Sequence, residues 1–144
     1  MERALVRYGL VFCLAVSGCM TLSAAKESLT DALDEYNSGV RWGRVDWMAE
    51  HVPKDKQEAY AKRQAPANGL QVTSCDVESI DMQKDNRRAV VTVRVDWYLL
   101  SQGRLHTSRI QQTWTHGDRW LVTELRVTGG APYPPLAQAR RPAI

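Results

Sequence analysis

The residues with which this chain could do chemistry are few: three cysteines, three histidines and a scatter of carboxylates among apolar stretches. His51, His106 and His116 form no His-x-x-x-His or comparable ligand pair, and no second cysteine accompanies Cys75, so the spacing offers no metal site. A general base would be a carboxylate or an imidazole beside a hydroxyl or acid that polarises a substrate. Asp96 and Glu124 fall on the outer face of their strands in the alternation set out below, and the polar residues that face inward are Ser108, Gln112 and Thr123, with His106 at the rim. Ser108, Gln112 and Thr123 are not bases, so no catalytic residue and no cofactor is expected. If the interior did work as an enzyme, His106 would be its base, with Gln112 and Tyr36 or Tyr60 lining the site.

Cys19 stands apart because of what precedes it. Arg3 and Arg7 make a basic start, Tyr8 to Val16 is an almost unbroken apolar run, and Ser17 and Gly18 are small. This is the three-part layout of a secretory signal. The run is about half of the ~20 residues that a spanning helix needs, which predicts a removed segment, residues 1–18, and no permanent span. The tetrad Val16-Ser17-Gly18-Cys19 resembles the lipobox of bacterial lipoproteins, in which small residues let a dedicated peptidase cut the Gly-Cys bond once the thiol carries diacylglycerol. The resemblance rests on the chain up to Cys19 and implies that this residue becomes a lipidated N-terminus. Each buried methylene contributes about 0.8 kcal/mol, and two or more acyl chains hold stably where one does not. In the sorting of such lipoproteins an Asp after the cysteine retains the protein in the inner membrane; Met20 stands there, which implies the outer membrane, facing the periplasm. The competing reading is secretory cleavage after Ala25, with Ser23 and Ala25 as the small pair, which keeps the compartment and loses the lipid.

Removal of residues 1–18 leaves 126, enough for one domain with a core and too few for two. It also removes Glu2, Arg3 and Arg7, so the formal charge falls from +3 to +2, scattered along the chain. Nucleic acid is not an expected partner. With Cys13 gone and Cys19 acylated, Cys75 has nothing to pair with, and its place in an alternating pattern predicts a buried, inert thiol.

The elements that must position these residues come in two regimes. Residues 19–25 are expected to form a tether spanning at most ~20 Å when extended. Ser28 to Asp31 fits a capping box, and Leu29, Leu33, Tyr36 and Val40 recur at helical spacing up to a stop at Gly39. A second helix is expected over Arg41 to Val52 and, after Pro53, a third over Lys54 to Arg63; Gln64 to Gly69 reads as a loop.

From Leu70 the period becomes two. The apolar phase of the first strand slips twice (Leu70 and Val72, Cys75 and Val77, Ile80 and Met82), which predicts two bulges and a bend. The second strand is regular, with Ala89, Val91, Val93, Val95, Trp97 and Leu99 on one face and Thr92, Arg94, Asp96 and Tyr98 on the other. An Asp85-Asn86 turn sets Met82 against Ala89, Ile80 against Val91, Val77 against Val93, Cys75 against Val95 and Val72 against Trp97. A Gln102-Gly103 turn sets Val95 against Ile110 and Val91 against Trp114, and a Gly117-Asp118 turn sets Trp114 against Leu121 and Ile110 against Leu125. The outcome is a four-stranded antiparallel meander whose second face carries Arg94, Asp96, Tyr98, Arg109 and Glu124.

Helices followed by a bent antiparallel sheet that wraps them resemble the cone-shaped α+β fold of the nuclear transport factor two-like superfamily, also met in the cystatin-like cone. The resemblance covers roughly Lys26 to Thr128 and rests on element order and bulged strands. A single α+β domain is therefore expected over 26–128, with an extended Pro-rich tail over 129–144. That superfamily includes isomerases, dehydratases, transport factors and binding domains, so the fold leaves function open. With no inner base, the expectation is a non-catalytic module that binds an envelope protein or a small amphiphile; the alternative is an isomerase- or dehydratase-like enzyme. On this register Trp120 lies beside Tyr98 on the polar face, partly exposed, as an interaction surface that a homodimer would cover.

Overall fold

A computed structural model describes residues 20–64 and 69–137, with side chains from Ser28 onward. The signal segment and Cys19 lie outside the described residues. In chain order the elements are α1 (Met20–Trp42), α2 (Val45–Glu50), a 3-10 turn (Lys54–Lys56), α3 (Gln57–Gln64), β1 (Leu70–Met82), β2 (Arg88–Leu99), β3 (Leu105–His116), β4 (Trp120–Gly130) and α4 (Pro134–Ala137). The strands form one four-stranded sheet in the order β1-β2-β3-β4, each pair antiparallel, and the helices pack on its inner face. This is the α+β class that the periodicity predicts. None of the described helices is long and apolar enough to cross a membrane.

The helices differ from expectation at their ends. α1 already runs from Met20, so Ser28 and Asp31 sit inside it and form no cap, and the expected extended tether is helical from Met20 onward. Thr21 to Glu27 contains no glycine or proline to stop a helix. Gly39 does not end it either. A Cβ there would meet Met48 Cγ at 2.8 Å, so glycine is what lets α1 and α2 approach. The terminator is Gly43, at φ +66°, with its N–H directed to Val40 O and the Arg44 N–H bonded to Gly39 O at 2.9 Å, a Schellman closure. Helix α2 is correspondingly shorter than Arg41 to Val52.

The β1–β2 register is the expected one, pair for pair, from Val72↔Trp97 to Met82↔Ala89, with bulges at Thr73 and Glu78. Between β2 and β3 the turn is longer than Gln102-Gly103: Leu100 to Arg104 connect the strands, and the N–H groups of Gln102 and Gly103 both bond to Leu99 O at 2.9 Å. Ile110 thus faces Val93 instead of Val95, and Trp114 faces Ala89 instead of Val91. A slip of two leaves every side chain on its expected face.

The β3–β4 connection has the opposite consequence. Gly117, Asp118 and Arg119 separate the pair His116↔Trp120, one residue more than a two-residue turn, so the start of β4 is flipped relative to expectation. Trp114 meets Val122 instead of Leu121, and Trp120 turns inward, 1% exposed. A bulge at Thr123 then brings Leu125 opposite Gln112 and Val127 opposite Ile110, and a second at Thr128 sets Gly129 opposite Arg109.

Three of the four bulges carry threonine, and each hydroxyl donates to a carbonyl of the neighbouring strand: Thr73 to Asp96 O (3.1 Å), Thr123 to Thr113 O (3.2 Å) and Thr128 to Arg109 O (3.5 Å). The side chain stands in for a ladder bond that the extra residue interrupts. At the fourth, the Glu78 carboxylate accepts from Arg109 Nε at 2.9 Å. The four bulges bend the sheet around a core of Leu29, Leu33, Tyr36, Val91, Val93, Val95, Trp114 and Trp120. Nor are residues 129–137 an open tail. β4 continues to Gly130, Tyr133 and Pro135 are buried, and α4 packs on α3 and β4.

Candidate binding site

Inside the cone most polar side chains are engaged by neighbours, while Asn37 Nδ2, His51 Nδ1 and His106 Nε2 are buried without a hydrogen-bond partner. Gln112 on β3 is buried; its Nε2 donates to Asn37 Oδ1 on α1 and its Oε1 accepts from Trp114 Nε1, both at 2.9 Å. Ser108 accepts from Trp97 Nε1 at 2.8 Å and donates to Ala131 O at 2.6 Å, tying the end of β4 to the interior. Tyr36 and Tyr60 share a hydrogen bond of 2.8 Å; Tyr60 donates to Met48 Sδ at 3.4 Å, so Tyr36 is the donor between the two hydroxyls. Burial, reinforced by the neighbouring phenol, pushes the Tyr36 hydroxyl well above its ordinary pKa, and burial pushes Tyr60 up to about 12. Neither phenol ionises at neutral pH.

Of the inward residues expected from sequence, Tyr36, Ser108 and Gln112 thus lie in the cone, joined by the half-buried His106. The His106 ring stacks on Trp97 at 4.6 Å between centroids, and its Nε2 is shielded without a hydrogen-bond partner. Thr123 is a correction. As the extra residue of a bulge it is exposed on β4, outside the cone. The free space left among Tyr36, Tyr60, Cys75, Gln112, Ile110 and Tyr133 is about 20 Å³, room for about one water. Cys75 is half-buried at its edge, and burial with Asp76 nearby raises the thiol to about 12.

Trp120 is the second correction. It packs inside near His116, with ring centroids 4.9 Å apart, and leaves Tyr98 half-buried on the outer face without the expected indole neighbour. The outer face is instead a charge ladder: Arg94 lies 3.6 Å from Asp76 and 3.8 Å from Asp96, and Arg109 pairs with Glu78. Hydrogen bonds from Thr107 (2.6 Å) and Ser74 (3.0 Å) hold the Asp96 carboxyl below the usual range. With Trp120 inside, the large apolar groups left on this face are Tyr98 and its cross-strand partner Leu105, which is exposed.

Larger space open to solvent lies around this core: about 510 Å³ between α1 and β1 beside Asn37 and Asp76, and about 300 Å³ where the end of α1 meets the start of β1 beside Trp42 and Tyr133. A cleft of about 330 Å³ separates α3 and the turn before it from β4 and α4. Its floor is Val122, Leu125, Pro135 and Leu136; Lys56 and Arg63 rise on one side and Glu124 on the other. Sequence reasoning placed Lys56 and Arg63 on a helix but missed the cleft, because its last wall is α4 in the segment taken for a tail. The Pro134-Pro135 pair, suited to a first helical turn, was the signal for it. At another end of the molecule Trp42 is 68% exposed beneath the Arg41 guanidinium, and Trp47 stacks with Arg44 at 4.6 Å. Among the described residues no group of three or more His, Cys, Asp or Glu side chains could hold a metal ion.

No protein-family model matches this chain, and no curated protein does. Among solved structures, the crystal structure of the intermembrane space region of chloroplast protein ARC6 is similar to it at TM-score 0.44 and 16% identity, over 76% of this chain and 98% of that one.

Proposed function

We propose that this protein is an envelope lipoprotein, anchored through Cys19 to a membrane, the outer in preference to the inner, whose single domain binds a partner or small amphiphile without chemistry of its own. The observation that carries the second half is the filled cone. An isomerase or dehydratase of the cone type needs room for substrate beside its base, and about 20 Å³ remains beside Tyr36, Tyr60 and Gln112, with Gln112 and Ser108 engaged in holding the core. The first half is supported by the basic start, the apolar run and the small residues before Cys19. Helix α1, beginning at Met20, would follow the lipid directly and hold the domain close to its membrane. The test is metabolic labelling with an alkyne fatty acid in wild type and Cys19→Ala: the wild type takes the label and the variant loses it. Equal labelling of both would refute the anchor.

A further inference from the structure

The cleft between α3 and β4 joins an apolar floor to a charged rim, and, building on the binding-module reading, we infer that it takes a single-chain amphiphile with an anionic head. The cleft is closed at both ends. Upstream, the His51 carbonyl accepts the Val122 N–H at 2.8 Å and covers the start of the β4 edge; downstream, α4 lies across it with Pro135 and Leu136. Between them the edge is bulged at Thr123, which interrupts the ladder that an added strand, the mode by which open sheet edges take extended peptides, would need. What remains is a compact apolar trough near the small end of ligand-site volumes, about 330 Å³.

Its rim supplies the polarity. Lys56 and Arg63 are exposed on the same side, and neither forms an ion pair among the described residues, although their neighbours Lys62 and Glu58 pair at 2.7 Å. Glu124 opposes them from β4, so the rim carries two cations against one acid. An acyl chain on Val122, Leu125 and Leu136 would bring its head group between those cations. The acid sets the sign of a test: for an anionic ligand Glu124 is repulsive, and its neutralisation tightens binding.

The experiment uses the full chain made unlipidated as Cys19→Ser, with 13C-labelled methyl groups, titrated with decanoate and, in parallel, decanol, decyltrimethylammonium and decanoyl lysophosphatidylglycerol. Decanoate is expected to shift the methyls of Val122, Leu125 and Leu136 saturably, and to bind about tenfold tighter than octanoate, as two further buried methylenes require. Lys56→Gln and Arg63→Gln each weaken it about two- to fivefold, and Glu124→Gln tightens it by a similar factor. The tighter of decanoate and the lysophospholipid identifies the source of the head group. The inference is overturned if no saturable shift appears, if decanol or decyltrimethylammonium binds equally well, if Glu124→Gln weakens binding, or if the shifts cluster at the exposed leucines Leu100 and Leu105, outside the cleft. Because Cys19 labelling is read separately, failure here leaves the anchor standing and removes only the ligand class.

Discussion

Replacing Gln112 by Leu separates a structural role for the inward polar residues from a chemical one. The side chain is buried and makes two hydrogen bonds of 2.9 Å, one to Asn37 Oδ1 and one from Trp114 Nε1, so Gln112→Leu strands an acceptor and a donor away from water. Each orphaned buried group costs about 1–3 kcal/mol, and the added apolar burial of leucine returns part of it, giving a net loss of about 2–4 kcal/mol. Asn37→Leu strands only Gln112 Nε2, and it also deletes Asn37 Nδ2, which has no hydrogen-bond partner. That variant should lose about 1–2 kcal/mol. The double variant leaves Trp114 Nε1 alone unsatisfied, so its loss should fall short of the sum of the singles by the two groups no longer stranded, about 2–4 kcal/mol. Urea unfolding followed by circular dichroism measures all three, read as midpoints at constant slope. Strict additivity, or a Gln112→Leu protein as stable as wild type, would refute the claim that this pair holds α1 on the sheet.

Trp120→Ala should cost about 3–5 kcal/mol in the same assay, as for a core tryptophan; a loss under 1 kcal/mol would return Trp120 to the outer face. Thr73→Val and Thr123→Val should each cost about 1 kcal/mol and raise amide exchange in the facing strand, and no effect from either would mean that the bulge hydroxyls do not replace ladder bonds. The Cys75 thiol, raised from 9.0 to about 12, should hold about a thousandfold less thiolate than in the unfolded chain and resist Ellman's reagent at pH 8 until urea is added; rapid native reaction would contradict its burial. Its linkage has a definite sign. The folded value is raised, so the stabilisation is complete below about pH 9 and is lost as pH rises toward 12, a decline that Cys75→Ala should lessen.

The parts of the fold that could be read from sequence were those fixed by side-chain period. The double phase slip of β1 located both bulges, and with the Asp85-Asn86 turn it gave the β1–β2 register pair for pair. Turn length was harder to read, because Gln102-Gly103 and Gly117-Asp118 are good turn dipeptides whether the connection holds two residues or more. At the first, the error was two residues and harmless to the faces; at the second it was one, and that parity moved Trp120 from outside to inside and Thr123 from inside to outside. The slip at Thr123 restored the expected phase for Leu125 and Val127, so the error in the turn stayed confined to the start of β4. Helix ends were misread where two glycines compete: Gly39 and Gly43 both suit a terminus, and only the proximity of Met48 distinguishes them. The cleft was invisible because prolines after Gly130 signal a tail as readily as the first turn of a short helix.

The central claim, an anchored module that begins at Cys19, is tested most directly by mass spectrometry of the protein isolated from its native membrane. The account predicts an N-terminal peptide starting at Cys19 whose mass includes diacylglycerol on the thiol, with residues 1–18 absent. An unmodified N-terminus at Lys26, or a chain that still begins at Met1, would contradict it.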